Sequence, residues 1–248
     1  MDGHAYIGEL FSAVFFVIAG ARLLSLSRRT RETPEFMLGA AFVLSGIALL
    51  FYMVPYVPAF EFLWAPFTFA GRALFIPVSI LWALFTRGVF RSSDGWATGL
   101  VWAIGALHLI GVCGSALTGD FEGFSISSGW FWLEWTGYTL PVAWTGLEAL
   151  IQYDQARRRV QLGLCGPLVC NRMLLWGLFG ALQVGLSIVV LFQYAAFDEA
   201  NVFTPGWDLL YGVFSMTSVA MIWFAFFPPV FYRRWIEATA DPAQSEQS

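Results

Sequence analysis

The residues of this chain most able to do chemistry are charged side chains that interrupt long apolar segments. Arg72 lies about eleven residues into an apolar segment of roughly 25. A charge at the middle of a bilayer costs at least about 2.5 kcal/mol on insertion scales, and ionisable residues at that depth usually face other helices and mark function. We therefore expect Arg72 to meet an acid on a neighbouring helix, either to fix helix register or to take part in function.

A stripe of polar residues in the fifth apolar segment supplies candidate partners. Its members recur at alternating spacings of four and three, which places them on one helix face: Glu134, Tyr138, Pro141, Thr145, Glu148 and Gln152. At 1.5 Å of rise per residue, Glu134 and Glu148 lie about 10 Å on either side of the middle of the segment. Either carboxylate is a candidate partner for Arg72, and the sequence leaves the choice open.

Three further segments contribute polar residues to the predicted site. His108 lies near mid-depth between two glycines and is able to relay protons or bind a metal, although a lone histidine is more often a hydrogen-bonded packing residue. Gln183 belongs to the sixth segment, and Asp208 and Tyr211 share one face of the seventh. The predicted ligand-binding residues are Arg72, His108, Glu134, Tyr138, Glu148, Gln183, Asp208 and Tyr211.

Tryptophans crowd the end of the segments at which Glu134 and Asp208 lie. They are Trp64, Trp130, Trp132, Trp135 and Trp207. Tryptophan is enriched at the interface between membrane and water, so an interfacial belt is the favoured interpretation. The alternative is an aromatic rim around the mouth of a site for an apolar or cationic ligand.

The elements that must position these residues are long apolar helices. The chain is 58% hydrophobic and 12% charged, whereas soluble domains carry about 25% charged residues. A helix needs roughly 20 apolar residues to cross a bilayer, and seven segments meet that length: 6–25, 36–57, 62–86, 96–117, 129–153, 169–194 and 205–232. The fold class is predicted to be all-α, a polytopic integral membrane protein with a seven-transmembrane-helix bundle over 1–235 and a short polar tail over 236–248.

The arginines predict how this bundle is oriented. All 13 basic residues are arginine, and every one except Arg72 lies at the same end of the apolar segments. Short loops rich in arginine stay in the cytoplasm. The N-terminus is therefore predicted to be outside and the C-terminus cytoplasmic. The absence of lysine suits a GC-rich bacterial genome, so the membrane is predicted to be a bacterial inner membrane.

Several chemistries are excluded or disfavoured by what the sequence lacks. Covalent retinal needs a lysine for its Schiff base, and the chain has none. The three cysteines and two histidines form no recognisable metal motif, and no hydrolase motif is present, so neither a cofactor, a metal nor an enzyme activity is predicted. The single arginine triplet, Arg157–Arg159, is better explained by membrane orientation or by binding to anionic lipid headgroups than by binding to nucleic acid. A lipid or small hydrophobic ligand bound without a covalent bond is compatible with the sequence.

Two short segments resemble a known group of proteins. FMLGAAFVLSG at 36–46, preceded by RRTRETPE, and GLCGPLVCNRMLLWG at 163–177 resemble segments of uncharacterised bacterial seven-helix membrane proteins. This resemblance covers about a quarter of the chain and implies no activity. PPVFY at 228–232 also resembles the turn that leads into an interfacial helix in seven-helix receptors, with Pro228 in place of the asparagine of that pattern.

Three functions are compatible with these residues. The favoured prediction is a receptor-like sensor that binds a small ligand in a polar, aromatic-rimmed pocket between helices and signals to a cytoplasmic or membrane protein partner. The second is a transporter of a small solute or of protons along the same polar residues. The third is a non-catalytic subunit of a larger membrane complex, and a small-residue track at Gly177, Ala181 and Gly185 also allows a homo-oligomer.

Overall fold

The chain folds into helices joined by short connections. The computed structural model describes residues 7–119, 126–196 and 205–240, without the side chains at 7–9, 56, 58, 196, 205–209, 211 and 240. Within these ranges there is no strand. The α-helices are α1 Ile7–Thr30, α2 Thr33–Met53, α3 Trp64–Phe90, α4 Gly95–Thr118, α5 Gly129–Gln161, α6 Pro167–Ala196, α7 Pro205–Phe226 and α8 Val230–Ala240. Two short 3-10 turns, Val54–Tyr56 and Pro58–Leu63, lie between α2 and α3.

Several of these helices are long and apolar enough to cross a membrane, which indicates an integral membrane protein. Among the described residues five qualify by length and composition: Leu10–Thr30, Thr33–Met53, Ala59–Phe90, Gly95–Thr118 and Pro167–Ala195. A sixth span is possible if the bent pair Gly212–Phe226 and Val230–Thr239 counts as one. The helix α5 is not in this set, and it is the helix that carries the predicted polar stripe.

The long helices pack against one another in chain order. Each helix from α1 to α6 contacts the next one, and α1 closes the ring against α7. The helix α3 also contacts α5, which brings the segment of Arg72 against the polar stripe. Aromatic residues fill the core at this junction, where the Trp82 ring stacks on Phe179 at 5.7 Å between centroids.

Glycines allow a close helix crossing between α5 and α6. A Cβ added to Gly180 would lie 2.4 Å from the Cα of Gly146, so a larger residue there requires the helices to separate. The small-residue track that the sequence predicts on α6 (Gly177, Ala181 and Gly185) does not form one continuous packing surface. Gly177 packs against Leu150, Ala181 is exposed, and a Cβ at Gly185 would meet no atom within 4 Å.

The last predicted segment is not a single helix. The segment 205–232 was predicted as one span, but α7 ends at Phe226 and α8 begins at Val230 after a bend of 77°. Pro228 and Pro229 lie in the break, and proline removes a backbone donor and clashes with the preceding turn of a helix. The predicted boundary between bundle and tail, after Trp235, falls inside α8, and residues 241–248 of that tail lie outside the described residues.

Candidate functional site

A buried ion pair joins α3 to α5. The Nε atom of Arg72 donates to Oε1 and Oε2 of Glu134 at 2.8 and 3.1 Å, and Nη2 donates to Oε2 at 2.6 Å. Arg72 is 2% exposed and Glu134 is 7% exposed. Donation from two guanidinium nitrogens to the two carboxylate oxygens is the paired geometry that makes such hydrogen bonds strong. Of the two acids that the sequence left open, Glu134 is the one that pairs with Arg72.

The backbone of α4 lies directly behind this ion pair. A Cβ added to Gly111 would lie 2.5 Å from the backbone nitrogen of Glu134, and a Cβ at Gly137 would lie 2.6 Å from the Cβ of His108. Glycine at both positions therefore lets α4 and α5 touch along one face. This close approach holds the Glu134 carboxylate at the level of Arg72.

His108 is bound to α3 rather than directed at an open space. It is 1% exposed, and its Nδ1 atom lies 2.7 Å from the Ser79 hydroxyl. Ser79 lies seven residues, about two helical turns, after Arg72, so α3 carries both contacts on one face. This arrangement agrees with the packing interpretation of His108. In the part of the chain that the structure describes, no group of three histidine, cysteine, aspartate or glutamate residues is placed to hold a metal ion.

A hydroxyl contact continues the junction of α3 and α5 below the ion pair. The indole nitrogen of Trp82 donates to the Thr145 hydroxyl at 2.8 Å, and the same hydroxyl contacts that of Thr86. Thr145 in turn donates to the carbonyl oxygen of Pro141 at 2.8 Å. Thr145 and Thr86 are fully buried. The polar stripe of α5 therefore contacts α3 at more than one level.

A second ion pair closes the other end of the junction. The Nε atom of Arg91, at the end of α3, donates to Oε1 of Glu148 at 2.8 Å, and the Trp144 indole donates to the same oxygen at 3.1 Å. The hydrogen bond to Glu148 raises the pKa of Arg91 above its usual value. Glu148 is 3% exposed, and its Oε2 atom has no hydrogen-bond partner among the described residues. The ion-pair partner of Glu148 is therefore Arg91.

The two ion pairs show that α3 and α5 run in the same direction. Arg72 precedes Arg91 along α3, and Glu134 precedes Glu148 along α5, so the partners follow the same order. The acids are separated by about 21 Å along the axis of α5 at 1.5 Å per residue. We call the contacts between these limits the α3–α5 seam: Arg72–Glu134, Trp82–Thr145, Thr86–Thr145 and Arg91–Glu148.

The remaining predicted residues do not all meet at the seam. Tyr138 is 39% exposed and touches Phe75 edge to face at 5.2 Å between ring centroids. Gln183 lies between α6 and α7, where its side-chain oxygen accepts from the Ser218 hydroxyl at 3.5 Å. Asp208 and Tyr211 fall on α7, but their side chains lie outside the described residues.

The tryptophans near Glu134 pack partly on one another and partly on α4. The rings of Trp132 and Trp135 lie 6.0 Å apart, and the Trp132 indole donates to the carbonyl oxygen of Ile126 at 2.8 Å. A Cβ on Gly114 would collide with the ring of Trp130, which fills the space that this glycine leaves. Trp207 lies outside the described side chains. Trp130, Trp132 and Trp135 therefore pack at the end of α4 and α5 where Glu134 lies, whereas Trp64 begins α3.

Comparison with known proteins adds nothing to this geometry. The chain matches no protein-family model, no curated protein and no solved structure. The function has to be argued from the seam itself.

The predicted ligand-binding set contains Arg72, Glu134 and Glu148 of the seam. It lacks the other seam residues, Trp82, Thr86, Thr145 and Arg91, and also Trp144, which donates to Glu148. The sequence places Thr145 in the polar stripe but gives Arg91 only an orienting role. One signal pointed to Arg91: it directly follows α3, near the level that Glu148 reaches if the two helices run in parallel. No comparable pattern identifies Trp144, since an indole four residues before an acid is common on an aromatic-rich helix.

Proposed function

We propose that this protein is a receptor-like sensor in a seven-helix membrane bundle, with the helices α1–α7 as the crossings. The arginine-bearing ends would face the cytoplasm and the N-terminus would lie outside, in a bacterial inner membrane. The apolar helices and the one-sided arginines support this orientation. The resemblance to uncharacterised bacterial seven-helix proteins remains a prediction.

The observation that carries the sensor proposal is that one helix pair has a buried acid held by an arginine at each end. A small polar ligand entering beside the tryptophans would compete for Arg72 or Glu134 and loosen the outer ion pair. Because α3 and α5 also share the Thr145 contact, a shift of α5 at this end is transmitted along rigid helices. The inner pair of Arg91 and Glu148 would then change where a partner protein can read it.

Coupling between the two ends can be measured without knowing the ligand. Spin labels are attached to cysteines introduced at Gly88 on α3 and Gln155 on α5, both exposed, in a background lacking the three native cysteines. A Cβ at Gly88 meets no atom within 4 Å, so the label fits. Replacing both members of the outer pair, Arg72→Gln with Glu134→Gln, is expected to shift or broaden the distance distribution between the labels.

A matched control breaks a buried hydrogen bond elsewhere. Ser12→Ala removes the bond between Ser12 and Ser215, which joins α1 to α7 at 2.8 Å. This variant is expected to leave the label distances unchanged. If the distribution in the outer-pair variant equals that of the wild type while both proteins are folded, the two ends are not coupled and the sensor proposal is wrong.

A second candidate function, proton or solute transport, is supported by a buried carboxylate oxygen of Glu148. The Oε2 atom of Glu148 is buried without a hydrogen-bond partner among the described residues, and the same holds for the Thr139 hydroxyl. A buried carboxylate oxygen with no donor is suited to take up a proton, and intramembrane acids serve as proton relays in pumps and transporters. Protonation of Glu148 would weaken its ion pair with Arg91.

Proton flux into liposomes separates transport from sensing. The purified protein is reconstituted with a pH-sensitive dye inside, and an imposed pH gradient is followed with wild type and Glu148→Gln. A transporter is expected to dissipate the gradient in wild type and much more slowly in the variant. Wild-type vesicles as tight as empty ones would exclude proton transport and leave the sensor as the better proposal.

A further inference from the structure

The bend between α7 and α8 creates a cavity at the arginine-bearing end of the bundle. Two contacts hold the surrounding helices in place. The Nε atom of Arg172 on α6 donates to the carbonyl oxygen of Ala225 on α7 at 2.9 Å, and Asn171 on α6 donates to the Tyr232 hydroxyl on α8 at 2.9 Å. The cavity that remains between these helices measures about 460 Å³, within the range of about 300–1,000 Å³ for small-molecule sites.

The charge around this cavity is positive. Arg172 and Arg233 both line it, together with the polar side chain of Asn171. No carboxylate is among the described residues that line it, and the nearest acid along α8 is Glu237, one helical turn after Arg233. The contact with Ala225 uses only the Nε atom of Arg172, which leaves the terminal nitrogens of its guanidinium to meet a ligand. Two guanidinium groups beside one cavity are suited to a phosphate group.

The helix α8 indicates where that phosphate would come from. Phe231 is 69% exposed and Trp235 is 60% exposed, so the apolar side of this short helix is not covered by the bundle. A basic amphipathic helix with exposed aromatic residues lies in the membrane interface, with its apolar face among the acyl chains. The cavity then opens at the level of the lipid headgroups.

We propose that the cavity between the start of α6, the end of α7 and α8 binds the phosphate group of an anionic phospholipid, with Arg172 and Arg233 as its cationic ligands. Basic pockets between helices on the cytoplasmic side are suited to such headgroups. This site is separate from the α3–α5 seam, and the proposal does not depend on what the seam does. Its effect is to anchor α8 and the end of α7 to one leaflet.

The binding can be measured as a rise in melting temperature. The detergent-purified protein is titrated with dioctanoyl phosphatidylglycerol, with dioctanoyl phosphatidylcholine and with inorganic phosphate. Only the anionic lipid is expected to raise the melting temperature in a saturable way. Arg233→Gln is expected to raise the lipid concentration at half-effect about fivefold, since one arginine near an anionic surface contributes about 1 kcal/mol.

Arg234→Gln provides the matched control. Arg234 is the next residue of α8, is exposed, and does not line the cavity. It is expected to leave the half-effect concentration unchanged, whereas Arg172→Gln should weaken binding as Arg233→Gln does. Arg172→Gln also removes the bond to Ala225, so its ligand-free melting temperature is recorded and Arg233→Gln decides the outcome.

Three results would overturn the proposal. Equal weakening by Arg234→Gln and Arg233→Gln would mean that the lipid meets a diffuse surface charge. Stabilisation by phosphatidylcholine at the same concentrations would mean that the acyl chains bind without the anionic headgroup. Saturation by inorganic phosphate alone, with no further effect of the lipid, would assign the cavity to a soluble anion.

Discussion

Arg72 and Glu134 form an ion pair in which both partners are buried. Removing two charges from water is costly, and the gain from their attraction in a buried site roughly offsets that cost. The larger effect appears when one partner is lost, because the other is left buried and uncompensated. At the other end of the seam Arg91 is partly exposed, so solvent screens its ion pair with Glu148.

Loss of one partner of the buried pair is expected to destabilise the protein more than loss of both. Arg72→Leu leaves the Glu134 carboxylate without its guanidinium, which costs about 3–5 kcal/mol. The double variant Arg72→Leu with Glu134→Leu removes both charges and should recover most of that loss. Chemical unfolding in detergent micelles measures the unfolding free energies of the wild type, of Arg72→Leu and of the double variant. A double variant less stable than Arg72→Leu would contradict the ion pair as described.

The Thr145 hydroxyl is expected to matter because it satisfies the Trp82 indole. Thr145→Val keeps the shape of the side chain but leaves the buried indole N–H without its acceptor, at a cost of about 1–3 kcal/mol. Thr145→Ser keeps the hydroxyl and serves as the control, with a smaller loss from the missing methyl group. Unfolding free energies report the change. Equal stability of the valine and serine variants would show that the hydrogen bond contributes nothing.

At the scale of helices, α5 is positioned by glycines that face two different neighbours. Gly137 lets α4 approach at His108, whereas Gly146 lets α6 approach at Gly180. The two contacts lie nine residues apart along α5, at Gly137 and Gly146. The polar stripe can therefore face α3 while both flanks of α5 are held at close range. The seam depends on this packing as much as on its own hydrogen bonds.

Adding one methyl group at the crossing of α5 and α6 tests that packing. Gly180→Ala places a Cβ against the backbone of Gly146 and is expected to cost about 1–3 kcal/mol by overpacking. Gly185→Ala, one turn further along α6, meets no atom within 4 Å and should be neutral or stabilising by about 0.5–1 kcal/mol, because alanine favours a helix over glycine. Melting temperatures in one detergent compare them, and an equal loss at both positions would contradict a specific crossing.

The sequence predicts the helices better than it predicts their partners. Apolar length places α1–α4 and α6 within about five residues of their observed bounds because a span must be continuous, whereas α5 continues past its predicted end at Tyr153 to Gln161 on mostly polar and charged residues. The break after Phe226 was missed because its two prolines lie inside an otherwise unbroken apolar run. Whether Glu134 or Glu148 pairs with Arg72 depends on the axial offset between α5 and α3. No pattern within one helix records that offset, so only the packed bundle reveals it.

At the scale of the whole molecule, one-sided arginines predict which ends share a compartment. To test this, single cysteines are introduced at the exposed positions Ala59, Ser93 and Thr239 in a background without native cysteines. Each variant is treated with a thiol-reactive reagent that cannot cross the membrane. In intact cells we expect Ala59→Cys to react and the other two to react only after lysis. Reaction of Thr239→Cys from outside, with Ser93→Cys still protected, would show that α7 does not cross and that the bundle has fewer than seven crossings.

The parallel arrangement of α3 and α5 has a consequence for biosynthesis. Arg72 and Glu134, the partners of the buried ion pair, are 62 residues apart in the chain. At a translation rate of about 5–20 residues per second, Arg72 leaves the ribosome about 3–12 seconds before Glu134. During that interval the guanidinium has no carboxylate from α5 to receive it. Full insertion of the third helix before the fifth would therefore leave this charge unpaired within the bilayer, at a cost of at least about 2.5 kcal/mol.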